Sequence, residues 1–342
     1  MNPSSLLRWP TSALRALVPD GVISDERALK VYESDGLTAY RQLPMVVVLP
    51  STTAQVSAVL RYCHENNIKV VPRGAGTSLS GGALPLEDGV LLGMAKFSRI
   101  REIDFENRVA VVEPGVTNLA VTQAVEHRGF YYAPDPSSQI ACTIGGNIAE
   151  NSGGIHCLKY GLTTNNVMGV ELALLDGSRI KFGGKAHDAA GLDLLGIVTG
   201  SEGLLGIVTE VTVRLRPAPQ VVEAILIAFP SVESAGDCVA GIIAAGIVPA
   251  AMEIMDRSAI DAVEAYCAPG YPKDAGAILV AEVDGIAIEV DTLAREVETI
   301  ARRNGAVSLT RSSAPADRAR IWAGRKAAFS ATGRIAPDML CM

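Results

Sequence analysis

A run of small residues directly follows a predicted strand and could bind an anion. The run is Pro72-Arg73-Gly74-Ala75-Gly76-Thr77-Ser78-Leu79-Ser80-Gly81-Gly82. Small and hydroxyl residues allow backbone N–H groups to converge on an anion, as in phosphate-binding nests. The G-x-G-x-x-G fingerprint would need glycine at Leu79, and the Walker A motif would need lysine where Gly82 stands. The run is therefore a phosphate-loop candidate outside both motifs, and the alternative is an ordinary glycine-rich surface loop.

Three further segments rich in small residues follow. They are Pro134-Asp135-Pro136-Ser137-Ser138 with Thr143-Ile144-Gly145-Gly146-Asn147-Ile148-Ala149-Glu150-Asn151-Ser152-Gly153-Gly154, then Lys159-Tyr160-Gly161, then Gly200-Ser201-Glu202-Gly203-Leu204-Leu205-Gly206-Ile207-Val208. Most of the 33 glycines lie between Gly74 and Gly206, which suits a backbone that turns often or approaches a ligand closely. Four such loops in this order favour an extended dinucleotide held by several loops.

The composition indicates a globular protein and argues against nucleic-acid binding. Of 342 residues, 49% are hydrophobic and 20% are charged, a balance that supports a packed core. The net charge is -7, from 30 Lys and Arg against 37 Asp and Glu, which is the opposite of what neutralising phosphates requires. The length favours two domains.

No segment is predicted to span a membrane. The longest apolar run, Cys238–Met252, is interrupted by Pro249, whereas a spanning helix needs about 20 apolar residues. Arg8 and Arg15 give the N-terminus a faint likeness to a transit peptide, but Ser12–Val18 is better explained as a short docked helix. We therefore expect a cytoplasmic protein.

The cysteines and histidines predict neither a disulfide framework nor a complete metal site. No C-x-x-C and no H-x-x-x-H spacing occurs. The six cysteines are at positions 63, 142, 157, 238, 267 and 341, and the four histidines are at 64, 127, 156 and 187.

Hydrophobic patterning predicts strands and helices around the glycine-rich loops. The strands are Val46–Leu49, Lys69–Pro72, Val90–Met94, Ile100–Asp104, Arg108–Glu113 and Gly206–Leu215, and the helices are Thr53–Glu65, capped by Ser51 or Thr52, and Asn118–Arg128. A hairpin is predicted over Gly169–Phe182, with Asp176-Gly177 as a two-residue turn. Arg216-Pro217-Ala218-Pro219 is predicted to be a linker.

The residues after this linker predict a β-α-β-β-α-β order, which is the ferredoxin-like split motif. The elements are a strand at Val222–Phe229, a helix at Val232–Ala245, strands at Pro249–Asp256 and Ile278–Asp284, a helix at Ile288–Asn304 and a strand at Val307–Arg311. A final helix is predicted over Pro315–Ala331.

Taken together, the loops resemble the FAD-binding domain of the vanillyl-alcohol-oxidase superfamily, also called the p-cresol-methylhydroxylase (PCMH) type. Within it, the chain is most similar to the FAD-linked 2-hydroxy-acid oxidases, the group that includes the flavin subunit of glycolate oxidase and the D-lactate dehydrogenases. The matching segments are Arg73–Gly82, Pro134–Ser138, Thr143–Gly154, His156–Gly161, Asn166–Asp176 and Thr199–Thr209. Their order and spacing agree with that group over roughly residues 40–218.

The resemblance implies an α+β fold in three parts. Residues 1–39 would be an N-terminal helical segment. Residues 40–218 would form a PCMH-type FAD-binding domain of two α+β subdomains. Residues 219–342 would form part of an FAD-linked oxidase C-terminal domain with a partial ferredoxin-like fold.

The resemblance also assigns a part of FAD to each loop. The pyrophosphate would be held by the segment from Arg73 to Gly82, with Arg73, Gly74, Ala75, Gly76, Thr77, Ser78, Leu79, Gly81 and Gly82 as its candidates, and Pro72 is a further cofactor-binding candidate. The isoalloxazine and ribityl region would be lined by Pro134, Ser137, Ser138, Thr143, Gly145, Gly146, Asn151 and Gly154, and the further cofactor-binding candidates are Asp135, Asn147 and Gly161. The adenine–ribose end would lie against Glu202, Gly206 and Ile207. Glu202 as a surface acid and Ile207 as an ordinary strand residue are the alternatives.

The resemblance bears on the chemistry near the flavin as well. Relatives that attach FAD covalently often use a histidine in the pyrophosphate loop, and Gly76-Thr77-Ser78 contains none, so non-covalent FAD is expected. His156 would lie near the flavin or have a structural role. Cys142 and Cys157 are expected to be small packed thiols.

Related C-terminal domains carry an H-x-G-D-G-N-x-H segment that holds a divalent metal. That segment would follow Ile335-Ala336-Pro337-Asp338 and is absent from this sequence, so we expect a truncated chain whose metal would belong to the missing part. Trp322-Ala323-Gly324-Arg325 matches the W-x-x-R segment, whose arginine binds the substrate carboxylate. Arginine suits this role because its planar fork can pair with both carboxylate oxygens. The alternative is a solvated helix arginine.

The expected activity is oxidation of a small 2-hydroxy acid, glycolate to glyoxylate, by hydride transfer to flavin N5. The resemblance implies partner subunits, one of them carrying iron–sulfur clusters, and a peripheral position at the membrane through them. Three alternatives stay open: a D-lactate or D-2-hydroxyglutarate dehydrogenase, a catalytically incomplete FAD-binding fragment, and a nucleoside-triphosphate enzyme that uses residues 74–82.

Overall fold

The computed structural model describes residues 8–186 and 191–335, and the chain divides into two compact units. The first unit is formed by Met1–Gly154 with Gly161–Pro217, and the second by Ile155–Tyr160 with Ala218–Met342. His187, Pro337-Asp338 and Cys341 lie outside the described residues.

The first unit contains a four-stranded sheet with the order β1-β2-β4-β3, in which β2, β4 and β3 are parallel and β1 is antiparallel. Thr52 caps the helix that connects β2 to β3, because its hydroxyl accepts the Gln55 N–H at 3.2 Å. Val56 and Leu60 of this helix pack with the buried strand residues. The elements are α1 (Arg8–Leu17), β1 (Val22–Ile23), α2 (Glu26–Leu29), β2 (Val46–Val48), α3 (Thr53–Glu65), β3 (Lys69–Arg73) and β4 (Gly89–Gly93).

A second sheet of the same unit is antiparallel, with the order β5-β6-β10-β8-β9. Two helices pack on it through Val121, Ile144 and Ile148, which are all fully buried. The elements are β5 (Ile100–Asp104), β6 (Val109–Val112), α4 (Asn118–Val125), β7 (Phe130–Tyr131), α5 (Ile144–Glu150), then α6 (Cys157–Tyr160) of the second unit, β8 (Val167–Ala173), β9 (Arg179–Gly183), α7 (Leu194–Val198), β10 (Ile207–Arg214) and β11 (Arg216–Pro217).

Two predictions about connections are wrong. The β8–β9 hairpin does not use Asp176-Gly177 as a two-residue turn: the Gly177 N–H donates to Leu174 O at 2.8 Å, and Gly177 is left-handed with φ +79° while Asp176 is not. Gly177 therefore follows the turn as a bulge residue and is not one of its two central residues. The second wrong prediction is the linker at Arg216-Pro217. These two residues form strand β11, which pairs with Phe130–Tyr131.

The second unit has the predicted ferredoxin-like order. Its antiparallel sheet runs β13-β14-β12-β15, the arrangement expected from a β-α-β-β-α-β sequence. One helix between β13 and β14 was not predicted. The elements are β12 (Val221–Phe229), α8 (Val232–Ala244), β13 (Ala251–Asp256), α9 (Arg257–Cys267, the unpredicted helix), β14 (Ala277–Gly285), α10 (Ala287–Arg303), β15 (Ser308–Ser312) and α11 (Pro315–Thr332).

The two faces of this sheet are covered differently. Helices α8 and α10 bury one face around Ile225, Ile227 and Leu279. The opposite face carries Val280 and packs with Ile321 and Trp322 of α11. This second face also carries acidic residues of β13 and β14, which are described below.

Among the described residues, no helix is long and apolar enough to cross a membrane.

Candidate functional site

Three of the four predicted small-residue segments contribute residues to one cleft of the first unit, and Lys159-Tyr160-Gly161 does not. The cleft has a cavity volume of about 220 Å³. The predicted cofactor residues that line it are Pro72, Arg73, Gly74, Ala75, Gly76, Thr77, Ser78, Gly82, Ser138, Thr143, Gly145, Gly146, Asn147, Glu202, Gly206 and Ile207.

The loop after β3 presents its backbone to this cleft. Within the part of the chain that the structure describes, the N–H groups of Gly74 to Ser78 have no protein acceptor. Gly76 is left-handed with φ +69°, a conformation that L side chains rarely adopt. The loop therefore leaves backbone donors for a bound group.

Arg73 anchors this loop through backbone carbonyl groups. Its guanidinium donates to Tyr32 O at 3.0 Å, to Ser34 O, and to Ala83 O at 3.4 Å. Burial lowers the pKa of Arg73, and the negative charge of Asp35 opposes that shift. The arginine thus ties the N-terminal segment to both ends of the loop, a role that the sequence did not indicate.

Helix α5 forms a second wall of the cleft. Thr143 caps it, because its hydroxyl accepts the Gly146 N–H at 3.3 Å. Asn147 is buried, and its Oδ1 accepts from Asn118 Nδ2 at 2.9 Å. Asn118 Nδ2 also donates to Pro134 O at 2.9 Å. Asn118 therefore fixes two of the predicted cofactor loops at once, although it lies outside every small-residue motif.

The remaining predicted cofactor residues do not line the cleft, and several have local structural roles. Gly154 packs against the backbone of Asp135. Asn151 ends α5 in a left-handed conformation with φ +49°, and its Oδ1 accepts the Thr164 N–H at 3.0 Å. Gly161 is left-handed and packs against Asn165. The predicted residues outside the lining are Leu79, Gly81, Pro134, Asp135, Ser137, Asn151, Gly154 and Gly161.

Other residues line the cleft that were not predicted to bind the cofactor. Gly145 donates its N–H to Pro114 O at 2.8 Å. The Glu113-Pro114-Gly115 sequence is typical of a turn, and it could have indicated from the sequence that a further loop contributes to the cleft. Cys142 is a buried free thiol at the cleft. The unpredicted lining residues are Ala83, Met94, Pro114, Cys142, Ile148, Ala149, Glu150, Ser152, Val198, Ser201, Gly203 and Val208.

Glu202 has an unusual backbone conformation beside the loop that follows β3. Its φ is +52°, and its N–H donates to Ala149 O at 2.9 Å. A Cβ placed on Gly82 would lie 2.9 Å from Glu202 Oε2. Glu202 is thus held with its carboxylate near Gly82, at the wall of the cleft.

The predicted substrate residue Arg325 lies in the second unit and is paired with an acid. Its Nε lies 3.0 Å from Glu253 Oε2, and its Nη2 donates to Glu253 Oε1 at 3.3 Å. Arg325 is on α11 and Glu253 is on β13. The two bonds place the carboxylate side-on against the guanidinium.

Two further acids on β14 have both carboxylate oxygens occupied. Glu282 accepts from Trp322 Nε1 at 2.8 Å and lies 3.1 Å from His156 Nε2. Asp284 pairs with Lys159 and accepts the Tyr160 hydroxyl at 2.6 Å. His156 thus has a partner within the second unit, which agrees with the structural role considered for it.

Helix α11 is held by a buried tyrosine as well. The hydroxyl of Tyr271 donates to Ile321 O at 2.6 Å, and Gly324 packs against the Tyr271 ring. Burial raises the pKa of Tyr271 to about 12. The hydroxyl therefore stays protonated and remains a donor to the helix that carries Arg325.

Among residues 8–186 and 191–335, no group of three or more His, Cys, Asp and Glu side chains could hold a metal ion.

Two protein families match the chain, one over most of each unit. The family described as FAD binding domain matches residues 44–183, and the family described as FAD linked oxidases, C-terminal domain, matches residues 218–341. Together they account for both halves of the predicted architecture.

Curated relatives include hydroxy-acid oxidising enzymes. The chain is 52% identical to glycolate oxidase subunit GlcD of Escherichia coli, over 96% of this chain and 66% of the relative. It is 41% identical to GlcD of Bacillus subtilis, over 91% of this chain and 66% of the relative. It is also 41% identical to a D-lactate dehydrogenase of Archaeoglobus fulgidus, over 63% of this chain and 48% of that enzyme. The chain thus spans 66% of the length of either GlcD.

Solved structures share the fold at low sequence identity. An alkyldihydroxyacetonephosphate synthase superimposes with a TM-score of 0.81 at 20% identity, over 99% of this chain and 70% of that one. A p-cresol methylhydroxylase superimposes with a TM-score of 0.76 at 20% identity, over 94% of this chain and 70% of that one. These likenesses confirm the predicted PCMH-type fold.

Proposed function

The chain belongs to the FAD-linked oxidases, and on this premise we propose that it binds FAD without a covalent link and oxidises a small 2-hydroxy acid, glycolate foremost. The observation that carries the proposal is the cleft in which the loop after β3 and the cap of α5 meet. The similarity to GlcD favours glycolate as substrate.

The residues at the cleft fit a dinucleotide. The N–H groups of Gly74 to Ser78 lack protein acceptors among the described residues, and converging backbone donors suit a pyrophosphate. A Cβ on Gly74 would lie 2.5 Å from Thr143 Oγ1. A side chain there would close the approach between the two walls.

We assign the pyrophosphate to the loop from Gly74 to Gly82 and the flavin and ribityl region to Ser138, Thr143 and Gly146. Glu202 is assigned to the adenine–ribose end, where an acid can accept from a ribose hydroxyl. When bound, FAD supplies the acceptor for the hydride of the substrate's α-carbon. The protein's part is to hold and orient the cofactor and to bind the substrate.

Arg325 is the residue proposed to bind the substrate. Guanidinium and carboxylate form paired, charge-assisted hydrogen bonds. Every 2-hydroxy acid carries such a carboxylate at neutral pH, so Arg325 would recognise the class and leave the choice of acid to other residues.

A second candidate substrate is D-lactate or D-2-hydroxyglutarate. Similarity to the D-lactate dehydrogenase of Archaeoglobus fulgidus favours D-lactate. Similarity to a D-2-hydroxyglutarate dehydrogenase of Bos taurus, which is 36% identical over 64% of this chain, favours D-2-hydroxyglutarate. A chain that binds FAD but does not turn over any of these acids is the remaining alternative.

We further propose that the chain works with other subunits, because GlcD is by name a subunit of glycolate oxidase. One of these would carry iron–sulfur clusters and accept electrons. A peripheral place at the membrane through such partners belongs to the same proposal, as does a divalent metal held outside this sequence.

The test is co-purification followed by anaerobic titration. FAD should be released into the supernatant on acid precipitation, and glycolate should bleach the oxidised flavin of the purified protein. FMN alone, or flavin that stays with the precipitate, contradicts the cofactor proposal. Bleaching by D-lactate or D-2-hydroxyglutarate but not by glycolate would favour the second candidate.

A further inference from the structure

The pair formed by Arg325 and Glu253 has a specific geometry. Glu253 uses both oxygens, Oε2 toward Nε at 3.0 Å and Oε1 toward Nη2 at 3.3 Å. The side chains are 36% and 25% exposed, so the pair is partly shielded from water. Glu253 therefore covers one edge of the guanidinium, the edge formed by Nε and Nη2.

The other edge of the guanidinium keeps its donors. In the described part of the chain, Nη1 of Arg325 donates to no protein acceptor. A guanidinium has five N–H donors in one plane, so a second carboxylate can bind end-on through Nη1 and Nη2 while Glu253 stays in place. The pair is thus compatible with an additional anionic ligand.

The backbone on both sides of the pair is fixed. Glu253 lies in the middle of β13, opposite Val280 of β14. On α11, the indole N–H of Trp322 donates a hydrogen bond to Glu282, and the Ile321 carbonyl accepts one from the Tyr271 hydroxyl. Neither partner can move far without breaking these contacts, so Glu253 sets where the guanidinium points.

We propose that Glu253 is a positioning residue for Arg325, which it holds side-on so that the Nη1–Nη2 edge receives the carboxylate of the 2-hydroxy acid. The inference rests on the proposed function of Arg325. Long side chains lose rotamer freedom when they bind, and pre-orientation removes part of that loss. Glu253 thereby strengthens substrate binding although it is itself an anion.

The experiment is a double-mutant cycle on substrate affinity. The variants are Glu253→Gln, Arg325→Lys and the double variant, each loaded with FAD, and the dissociation constant for glycolate is measured by calorimetry. Glu253→Gln should weaken glycolate binding about tenfold, equivalent to about 1.4 kcal/mol. In the Arg325→Lys background it should have no further effect, because two residues that act as one unit are not additive.

Two additional variants separate positioning from charge and from folding. Glu253→Asp keeps the charge but shortens the side chain, so it should weaken binding like the glutamine variant. Glu296→Gln removes an exposed acid of α10 that has no ion-pair partner among the described residues, and should leave affinity unchanged. Urea unfolding of each variant reports whether it is folded.

The outcomes distinguish the two proposals. If Arg325→Lys leaves glycolate binding unchanged, the proposed role of Arg325 fails and the inference fails with it. If Arg325→Lys weakens binding but Glu253→Gln tightens it, Glu253 competes with the substrate and only the inference is overturned. An equal effect of Glu253→Gln in both backgrounds would also overturn it, because Glu253 would then act elsewhere.

Discussion

Trp322 and His156 bind opposite oxygens of one buried carboxylate, that of Glu282. The indole Nε1 donates to Oε2 at 2.8 Å, and His156 Nε2 lies 3.1 Å from Oε1. The tryptophan precedes Arg325 by one helical turn. The carboxylate therefore connects α11, and His156 just before α6, to β14, and its hydrogen bonds hold the helix that carries the candidate substrate residue.

Trp322→Phe should destabilise the protein. The variant leaves Glu282 Oε2 buried without its donor, which costs about 1–3 kcal/mol. Urea unfolding measures the loss as a shift in the free energy of unfolding. Tyr40→Phe is the control, because Tyr40 is 60% exposed and its change should have little effect. An unfolding free energy of Trp322→Phe equal to the wild-type value would show that the bond to Glu282 contributes nothing.

Gly76→Val should lower FAD affinity by about tenfold or more, equivalent to at least about 1.4 kcal/mol. Gly76 has φ +69°, and a Cβ there would lie 2.6 Å from Arg73 Nε. Both the loop conformation and the arginine anchor would have to change. Gly82→Val should have a smaller effect, since the atom nearest to its Cβ would be Oε2 at the movable end of Glu202.

The measurement for these glycine variants is titration of apoprotein with FAD, followed by quenching of flavin fluorescence. Gly236→Ala is the control, because nothing lies within 4 Å of a Cβ at that position. Full FAD occupancy of Gly76→Val would mean that the loop does not hold the pyrophosphate.

Arg73→Lys should also weaken FAD binding, although it keeps the positive charge. The single ammonium group of lysine cannot replace the planar guanidinium, which donates hydrogen bonds to the carbonyls of Tyr32, Ser34 and Ala83. The N-terminal segment should then be cleaved more readily by protease near Ser34. Arg41→Lys, at an exposed arginine, is the control. Wild-type affinity and wild-type proteolysis in Arg73→Lys would count against the anchor.

Stability should fall in acid because of Glu113, which precedes Pro114 at the cleft. Its side chain is 1% exposed and pairs with Arg99 at 2.8 Å and with Arg101 at 3.1 Å. Burial raises its pKa, but the hydrogen bonds from Arg99 and Arg101 outweigh burial and hold the pKa below the ordinary 4.5.

The sign of this effect follows from the lowered pKa. The unfolded chain takes up a proton near pH 4.5, whereas the folded chain does so only at lower pH, so the contribution to stability is present above that value and is lost as the pH falls through the folded pKa. Glu113→Gln should therefore be less stable than wild type at pH 7 and should lose less stability between pH 6 and pH 3. Glu106→Gln, at an exposed acid, should keep the wild-type slope of unfolding free energy against pH.

The sequence was sufficient to predict most of the fold because its local signals agree with the tertiary structure. Thr53–Glu65 and Ile100–Asp104 occur with the predicted bounds. The helix Arg257–Cys267 was missed although its signal is present: Asp256 caps it by accepting the Ala259 N–H, and Ile260 and Val263 have helical spacing. The Asp176-Gly177 turn was predicted incorrectly because an Asp-Gly pair is compatible with more than one turn.

The site was less predictable because its important contacts join residues that are distant in sequence. The small-residue motifs indicated three of the loops that form the cleft. Nothing in those motifs connects Arg73 to Tyr32, 41 residues away, or Arg325 to Glu253, 72 residues away. Asn118 was missed for the same reason, since its amide bridges two loops from within a helix of ordinary composition.

Residues Ile155–Tyr160 belong to the second unit although the chain on either side of them belongs to the first. This has a consequence for folding during translation. The chain passes from one unit to the other after Gly154, after Tyr160 and after Pro217. Tyr160 and His156 emerge from the ribosome 124 and 126 residues ahead of their partners Asp284 and Glu282, a delay of about 6–25 s at roughly 5–20 residues per second. During that interval, Lys159 and its neighbours have no acid on β14 to bind. The second unit therefore cannot be completed from one uninterrupted stretch of chain, and residues 155–160 must wait after their own synthesis until β14 has been made.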